Sequence, residues 1–363
     1  MMNCGIVTFH KAHNYGAVLQ AYALQKTLSN FGYSVSFVDY QHQEIEKIYR
    51  LFPVFNENGL IVYSKRWIHT ILDFKRKYNR YHAFSEFINE NFNCVSLDNK
   101  CTYDCVVLGS DQIWNPEYTN GFVKVHFGKD SNLEYSKLIS YAASMGKENL
   151  TDDELSEFKE NIENIDIIGV REESLKLLIN NILPKRDVRV NLDPTLLLPK
   201  SDWDELSDNE VPSEPYILVY EVKFNSLTPK IVEFIKNKYN INVIVLSART
   251  NFKLPKTYIT DASPKKFLSL FKHAKFVVTT SFHGTVFSII NNKPFITVGF
   301  GDHTDSRSRS LLNQLSLIDR MAFEESDIHN MKLDIDYEIA NKKLVEMQMD
   351  SISYLKENLK GEL

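Results

Sequence analysis

Most of the features that assign a chain at sight are missing from this sequence. No run approaches the roughly 20 apolar residues a helix needs to cross a bilayer, and the opening MMNCGIVTFH has no basic segment ahead of a long apolar stretch. A cytoplasmic protein is therefore expected. Cysteine is scarce, with four residues in 363. Three of them, Cys94, Cys101 and Cys105, have no second ligand pair at zinc spacing, so buried thiols are expected rather than disulfides or metal ligands. Positive charge is not in excess either. Lys plus Arg number 42 against 47 Asp plus Glu, a net charge of -5, which argues against broad binding to a phosphate backbone and against a nucleic acid partner. There is no GxGxxG after the first apolar run, no GxxxxGK[ST], HExxH, GxSxG or paired CxxC. Dinucleotide, P-loop, zinc-protease and ordinary serine-hydrolase chemistry lose support accordingly.

What remains is an ordinary globular composition, 43% hydrophobic and 25% charged, long enough for two domains. Short apolar runs alternate with helical patterns, the mark of a parallel sheet covered by helices. Strands are expected at Cys4 to Phe9, Ser34 to Asp39, Tyr103 to Leu108, Leu138 to Ala142 and Ile165 to Val170. A capping box at Thr151 and Glu154 opens a helix between the last two. From Val62 to Phe92 the chain is aromatic, basic and helical in period, which reads as an insertion or helical hairpin. The same alternation restarts at Tyr216 to Val222 and continues through Val243 to Ser247, Phe276 to Thr280 and Phe295 to Val298. Ser263 and Pro264 start a helix that runs through His273. The acidic stretch Ser207 to Pro215 marks a boundary. The expected layout is α/β, with a Rossmann-like domain over 1–205, a second over 211–330, and a helix over 335–363 that crosses back to the first. The two domains face one another across a cleft.

In open parallel sheets, ligands collect beyond the carboxyl ends of the strands, where helix amino termini expose unpaired N–H groups. Five segments meet that condition: His10 to Gly16, Gly109 to Trp114, Ser144 to Gly146, Arg171 to Ser174 and Ser281 to Thr285. The last concentrates hydroxyls, His283 and Gly284 in one turn and looks built for an anion. Arg307 and Arg309 fall in the first turn of another helix, where the dipole opposes cations unless an anion is bound. Asp302 and Asp305 are the bland alternative, neutralising the two arginines locally. Asp111 and Trp114 share a polar, aromatic turn suited to a sugar, unless Asp111 caps a helix and Trp114 lies in the core. Arg171 stands at a strand end beside Glu172 and Glu173.

Taken together, His10 to Gln20, Gly109-Ser-Asp-Gln-Ile-Trp-Asn115, Tyr141 to Gly146, Val170 to Ser174, Asp193-Pro-Thr195 and Ser281-Phe-His-Gly-Thr285 resemble the polysaccharide pyruvyl transferases over about residues 3 to 320. The resemblance implies a GT-B-like fold. It also implies transfer of the enolpyruvyl group of phosphoenolpyruvate onto a sugar of a polysaccharide or lipid-linked glycan precursor, closing a cyclic pyruvate ketal and releasing phosphate. Phosphoenolpyruvate is then a co-substrate, and neither a cofactor nor a metal is called for. The donor-binding residues of the family carry onto Asp111, Arg171 and His283, which are the candidate catalytic residues. Ser281, Gly284, Thr285, Arg307 and Arg309 are donor-side candidates. One branch of the family has arginine where this sequence has Ser281, so Arg307 or Arg309 is the candidate replacement. His13, Asn14, Tyr15 and Trp114 are candidates for the acceptor wall. Lys65, Arg66, Trp67, Lys75, Arg76, Lys77 and Arg80 form a basic, aromatic stretch that is either a solvated helix face or a peripheral contact with anionic headgroups at the inner face of a membrane. The rival readings are a nucleotide-sugar glycosyltransferase on the same scaffold and a non-catalytic glycan- or phosphate-binding protein.

Overall fold

The structure is a computed structural model that describes residues 2–40, 47–55, 59–147, 149–210 and 212–359. Position 211 and positions 360–363, at the edges of two of the expected segments, lie outside the described residues.

The first half of the chain contributes β1 (Asn3–Val7), β2 (Ser34–Asp39), β3 (Cys94–Ser96), β4 (Cys101–Tyr103), β5 (Cys105–Asp111), β6 (Leu133–Tyr135), β7 (Leu138–Ala143), β8 (Ile168–Val170) and β9 (Val188–Val190). β4 and β6 pair with each other, and the other seven form one parallel sheet in the order β3-β2-β1-β5-β7-β8-β9. The second half adds β10 (Tyr216–Glu221), β11 (Asn242–Ser247), β12 (Phe276–Thr279), β13 (Phe295–Val298) and β14 (Met321–Ala322), parallel in the order β11-β10-β12-β13-β14. Central strands such as β7 and β12 are buried at every position, because helices cover both faces of a parallel sheet and leave no solvated side to alternate toward. The architecture is that of two Rossmann-like halves facing across a cleft.

The helices used below are α1 (Tyr15–Asn30), α2 (Gly59–Leu72), α3 (Phe74–Asn91), α4 (Asp152–Ile162), α5 (Pro264–His273), α6 (Phe282–Ile290), α7 (Ser306–Gln314) and α8 (Glu338–Leu359). Their starts follow local chemistry. The Asn14 side chain accepts from the Gly16 and Ala17 amides at the head of α1, and the Thr151/Glu154 capping box opens α4. Ser263 accepts from the Lys266 amide ahead of Pro264 in α5, and Ser281 accepts from the Gly284 amide in α6. Each such cap satisfies a donor that the helix itself leaves unpaired. The basic, aromatic segment is the helical hairpin α2–α3.

The halves are joined by packing as well as by chain. Tyr15, at the head of α1, stacks on Phe267 of α5 at 4.6 Å between ring centroids, and its hydroxyl donates to the Ala262 carbonyl at 2.9 Å. Arg80 of α3 donates to the Tyr15 hydroxyl (3.0 Å), the Thr260 carbonyl (3.2 Å) and the His13 carbonyl (3.0 Å). α8 starts on the second half, where Lys343 donates to Ser316, and ends on the first. There Gln348 donates to the Leu196 carbonyl, Ser351 accepts from the Leu192 amide and Tyr354 donates to the Ser140 carbonyl.

Candidate active site

Each sheet has a point where the strand order reverses, between β1 and β5 in the first and between β10 and β12 in the second. Loops diverge at such a point and leave a crevice beyond the carboxyl ends of the strands. The two crevices merge here into one cavity of about 840 Å³. Its walls combine Asn14 after β1, Asp111 and Gln112 at the end of β5, Lys223 after β10, Ser281 and His283 after β12, and Arg307 of α7.

Asp111 is held at a φ of 77°, a left-handed backbone that costs a residue with a Cβ about 1 kcal/mol or more. One carboxylate oxygen accepts from the Gln112 amide at 2.8 Å. The Tyr49 hydroxyl, which also lines the cavity, is pushed up to about 12 by burial and by the negative charge of Asp111. It therefore remains a neutral donor at ordinary pH.

His283 sits in the first turn of α6 and is 7% exposed. Its Nε2 lies 3.6 Å from Oδ2 of Asp193, and the same oxygen is 3.0 Å from Nη2 of Arg171. Arg171 also donates to Ser110 of β5, while the other Asp193 oxygen accepts from the Thr195 amide at 2.9 Å and from its hydroxyl. Burial opposes the charge on Asp193, but Arg171, His283 and Thr195 outweigh it and hold the carboxyl well below the usual carboxylate range. A permanent anion thus stands behind the imidazole. The front of the ring lies against Gly16 of α1, where a built Cβ would overlap Nδ1.

Arg307 lies over the Phe282 ring at 5.3 Å. With the Gln112 amide oriented to satisfy its neighbours, the Gln112 oxygen accepts from Arg307 Nη2 at 3.0 Å and Nε at 3.3 Å, and its nitrogen donates to the Tyr118 hydroxyl at 2.9 Å. A guanidinium fixed on one edge and stacked on one face presents its remaining N–H groups as a preorganised anion contact.

Several expected residues lie elsewhere. Arg309 is exposed over Phe323 and does not line the cavity, so of the two candidate arginines only Arg307 reaches the cleft. Arg171, 6% exposed, is buried behind the wall and acts on it through Asp193 rather than at the ligand surface. Gly284 packs where a Cβ would overlap Thr279, and the Thr285 hydroxyl meets Thr297 of β13 at 2.7 Å. Both support α6 from behind. On the acceptor side, Asn14 lines the cavity as the cap of α1, but Tyr15 and Trp114 are 0% exposed. Trp114 stacks on Phe127 at 5.7 Å and donates to the His126 carbonyl, so it is core, as is Tyr15. His13 stacks on Phe84 of α3 at 5.4 Å and turns away from the cavity. Trp114 and Tyr15 are interior for one physical reason. An indole or phenol surrounded by apolar groups gains more from burial than from covering a sugar, provided its polar atom finds a partner.

Other residues of the site are assigned no role from sequence, although Asp193 and Gln112 stand in two of the motif blocks that carry the family resemblance. Asp193 follows β9 and obeys the strand-end rule, but a three-residue strand has no readable period. Gln112, Tyr118, Lys223 and Arg249 are among the lining residues.

A family model for polysaccharide pyruvyl transferases matches residues 14–302, which include the cavity-lining residues of both halves named above from Asn14 to His283. The chain belongs to that family. Among solved structures, this pyruvyl transferase family member is similar to S. aureus MnaA with UDP, at 13% identity, TM-score 0.46, covering 100% of this chain and 93% of that one. It is also similar to UDP-GlcNAc 2-epimerase from Neisseria meningitidis, at 10% identity, TM-score 0.43, covering 96% and 100%. A third is the Streptomyces sp. SF2575 glycosyltransferase SsfS6, at 12% identity, TM-score 0.43, covering 98% and 100%. No curated protein matches the pyruvyl transferase chain in sequence.

Proposed function

We propose that this pyruvyl transferase family member moves the enolpyruvyl group of phosphoenolpyruvate onto two hydroxyls of a glycan or lipid-linked sugar, forming a cyclic ketal and releasing phosphate. The observation that carries the reading is the His283–Asp193–Arg171 chain ending in a cavity that Arg307 also lines. The reaction begins with a proton added to the methylene carbon and a bond formed from a sugar oxygen to the central carbon. A second sugar oxygen then bonds to that carbon as its bond to the phosphate oxygen breaks, and both hydroxyl protons are given up. Arg307, with Lys223 and Arg249 on the same walls, holds the anionic ends of the donor. His283 carries a proton, with Asp193 steadying its imidazolium form as a buried carboxylate does behind a catalytic histidine. Asp111, on the opposite half, orients or deprotonates the acceptor hydroxyl.

The test is phosphate release from phosphoenolpyruvate with a panel of nitrophenyl and lipid-linked sugars. Sugar-dependent release is expected. His283→Ala should lower it by about a hundredfold or more, and Arg307→Ala should raise KM for phosphoenolpyruvate, while Arg309→Ala leaves both unchanged. Turnover of a nucleotide sugar, with no phosphate release with any acceptor, would overturn the proposal.

A further inference from the structure

α2 presents two unlike faces. Val62, Lys65, Arg66, His69 and Thr70 line an open hollow of about 770 Å³ between the helical hairpin and the loop at 250–252. The opposite face is apolar and uncovered: Leu60 is 71% exposed, Ile61 73%, Ile68 55%, Ile71 66% and Leu72 59%. At 100° per residue these five fall within one third of the helix circumference, interrupted only by Ser64. Isolated exposed apolar residues need no explanation, but five on one stripe of one helix do. The segment from 59 to 82 carries six Lys and Arg and one acid, Asp73, in a chain whose net charge is -5. That acid is buried and lies against Arg76.

We infer that the outer face of α2 docks this protein on an anionic lipid bilayer, with the helix lying in the plane of the headgroups. Fourteen residues reach roughly 21 Å, too short to span, and no described helix is long and apolar enough to cross a membrane. Lys65 borders the stripe beside Leu72, and an apolar stripe with a cation at its edge is the arrangement that buries a few ångströms into the headgroup boundary. Charge also chooses between lipid and a second copy of the chain. A twofold contact through the stripe would bring Lys65 of both copies, near the middle of the helix, toward each other, whereas acidic headgroups neutralise it. The docked helix holds the basic hollow on its far side, about one helix width from the lipid, and the hollow adjoins the cleft through Ile48, Glu117 and Tyr118, which line both.

The inference does not depend on pyruvyl transfer, and the experiment is separate. The full-length protein is sedimented with vesicles of phosphatidylcholine alone and of phosphatidylcholine mixed with phosphatidylglycerol. Binding is expected only to the mixed vesicles and should weaken with added salt. Lys65→Glu with Arg66→Glu should lower it by roughly tenfold or more. Ile68→Glu with Ile71→Glu should abolish it without changing the thermal melt or phosphate release on a water-soluble sugar. The inference is overturned by failure to bind mixed vesicles, by binding that either double variant leaves unchanged, or by a solution dimer that Ile68→Glu dissociates.

Discussion

The decisive contacts of the site are made by single side chains that sequence order keeps apart. Asp193 and His283 are 90 positions apart, yet a carboxylate oxygen of one lies 3.6 Å from the imidazole of the other. No local pattern announces that pairing. That His283 would line the cleft was legible, because it stands among hydroxyls where a strand turns into a helix. Asp193→Asn should cost about 3 to 5 kcal/mol near neutral pH by leaving Arg171 buried without its anion, read as a lowered urea midpoint. Because the Asp193 carboxyl is held below its ordinary range, its contribution is complete above about pH 4 and is lost as the pH falls below that. The wild type and variant should therefore converge in acid. His13 shows the opposite chemistry. Burial, with Arg80 adding to it, lowers its imidazole to about 4, so the folded chain favours the neutral ring. Stability from this residue is full above about pH 6.5 and declines by about 3 kcal/mol as the pH drops toward 4. His13→Phe should flatten that part of the melting-temperature profile; an unchanged slope would show that the ring is solvated.

Among elements, the strand–helix alternation was readable wherever apolar runs were long enough to show a period. The strand at Phe295–Val298 falls where the pattern puts it, and β2 and α5 begin and end as their turns and caps dictate. β9 and β14, with three and two residues, are set by pairing with neighbours and carry no signal of their own. How two helices approach is equally invisible along the chain. α1 and α6 come from different halves and meet where Gly16 touches the His283 ring. Alanine at a helical glycine ordinarily stabilises by about 1 kcal/mol. Here Gly16→Ala should instead cost about 1 to 3 kcal/mol from overpacking and lower the rate of phosphate release by displacing the imidazole. A gain in stability with full activity would mean that the ring has room to spare.

For the molecule as a whole, two domains and a returning terminal helix follow from the repeat of one folding pattern and the boundary at Ser207 to Pro215. The degree of contact between the halves does not, because it rests on aromatic side chains whose partners lie across the cleft. Tyr15 and Trp114 look alike in sequence, as rings in polar turns, yet one closes the seam between halves and the other fills the first half's core. Leu355 of α8 is 0% exposed and packs in the same cluster as residues of both sheets. Leu355→Ala should lower stability by about 2 to 5 kcal/mol, and a negligible change in urea denaturation would show the helix to be loosely attached.

The chain passes from one half to the other twice, first between Leu206 and Tyr216 and again along α8. Two tethers permit less than one. A break in the chain at one crossing would leave the halves tied at the other.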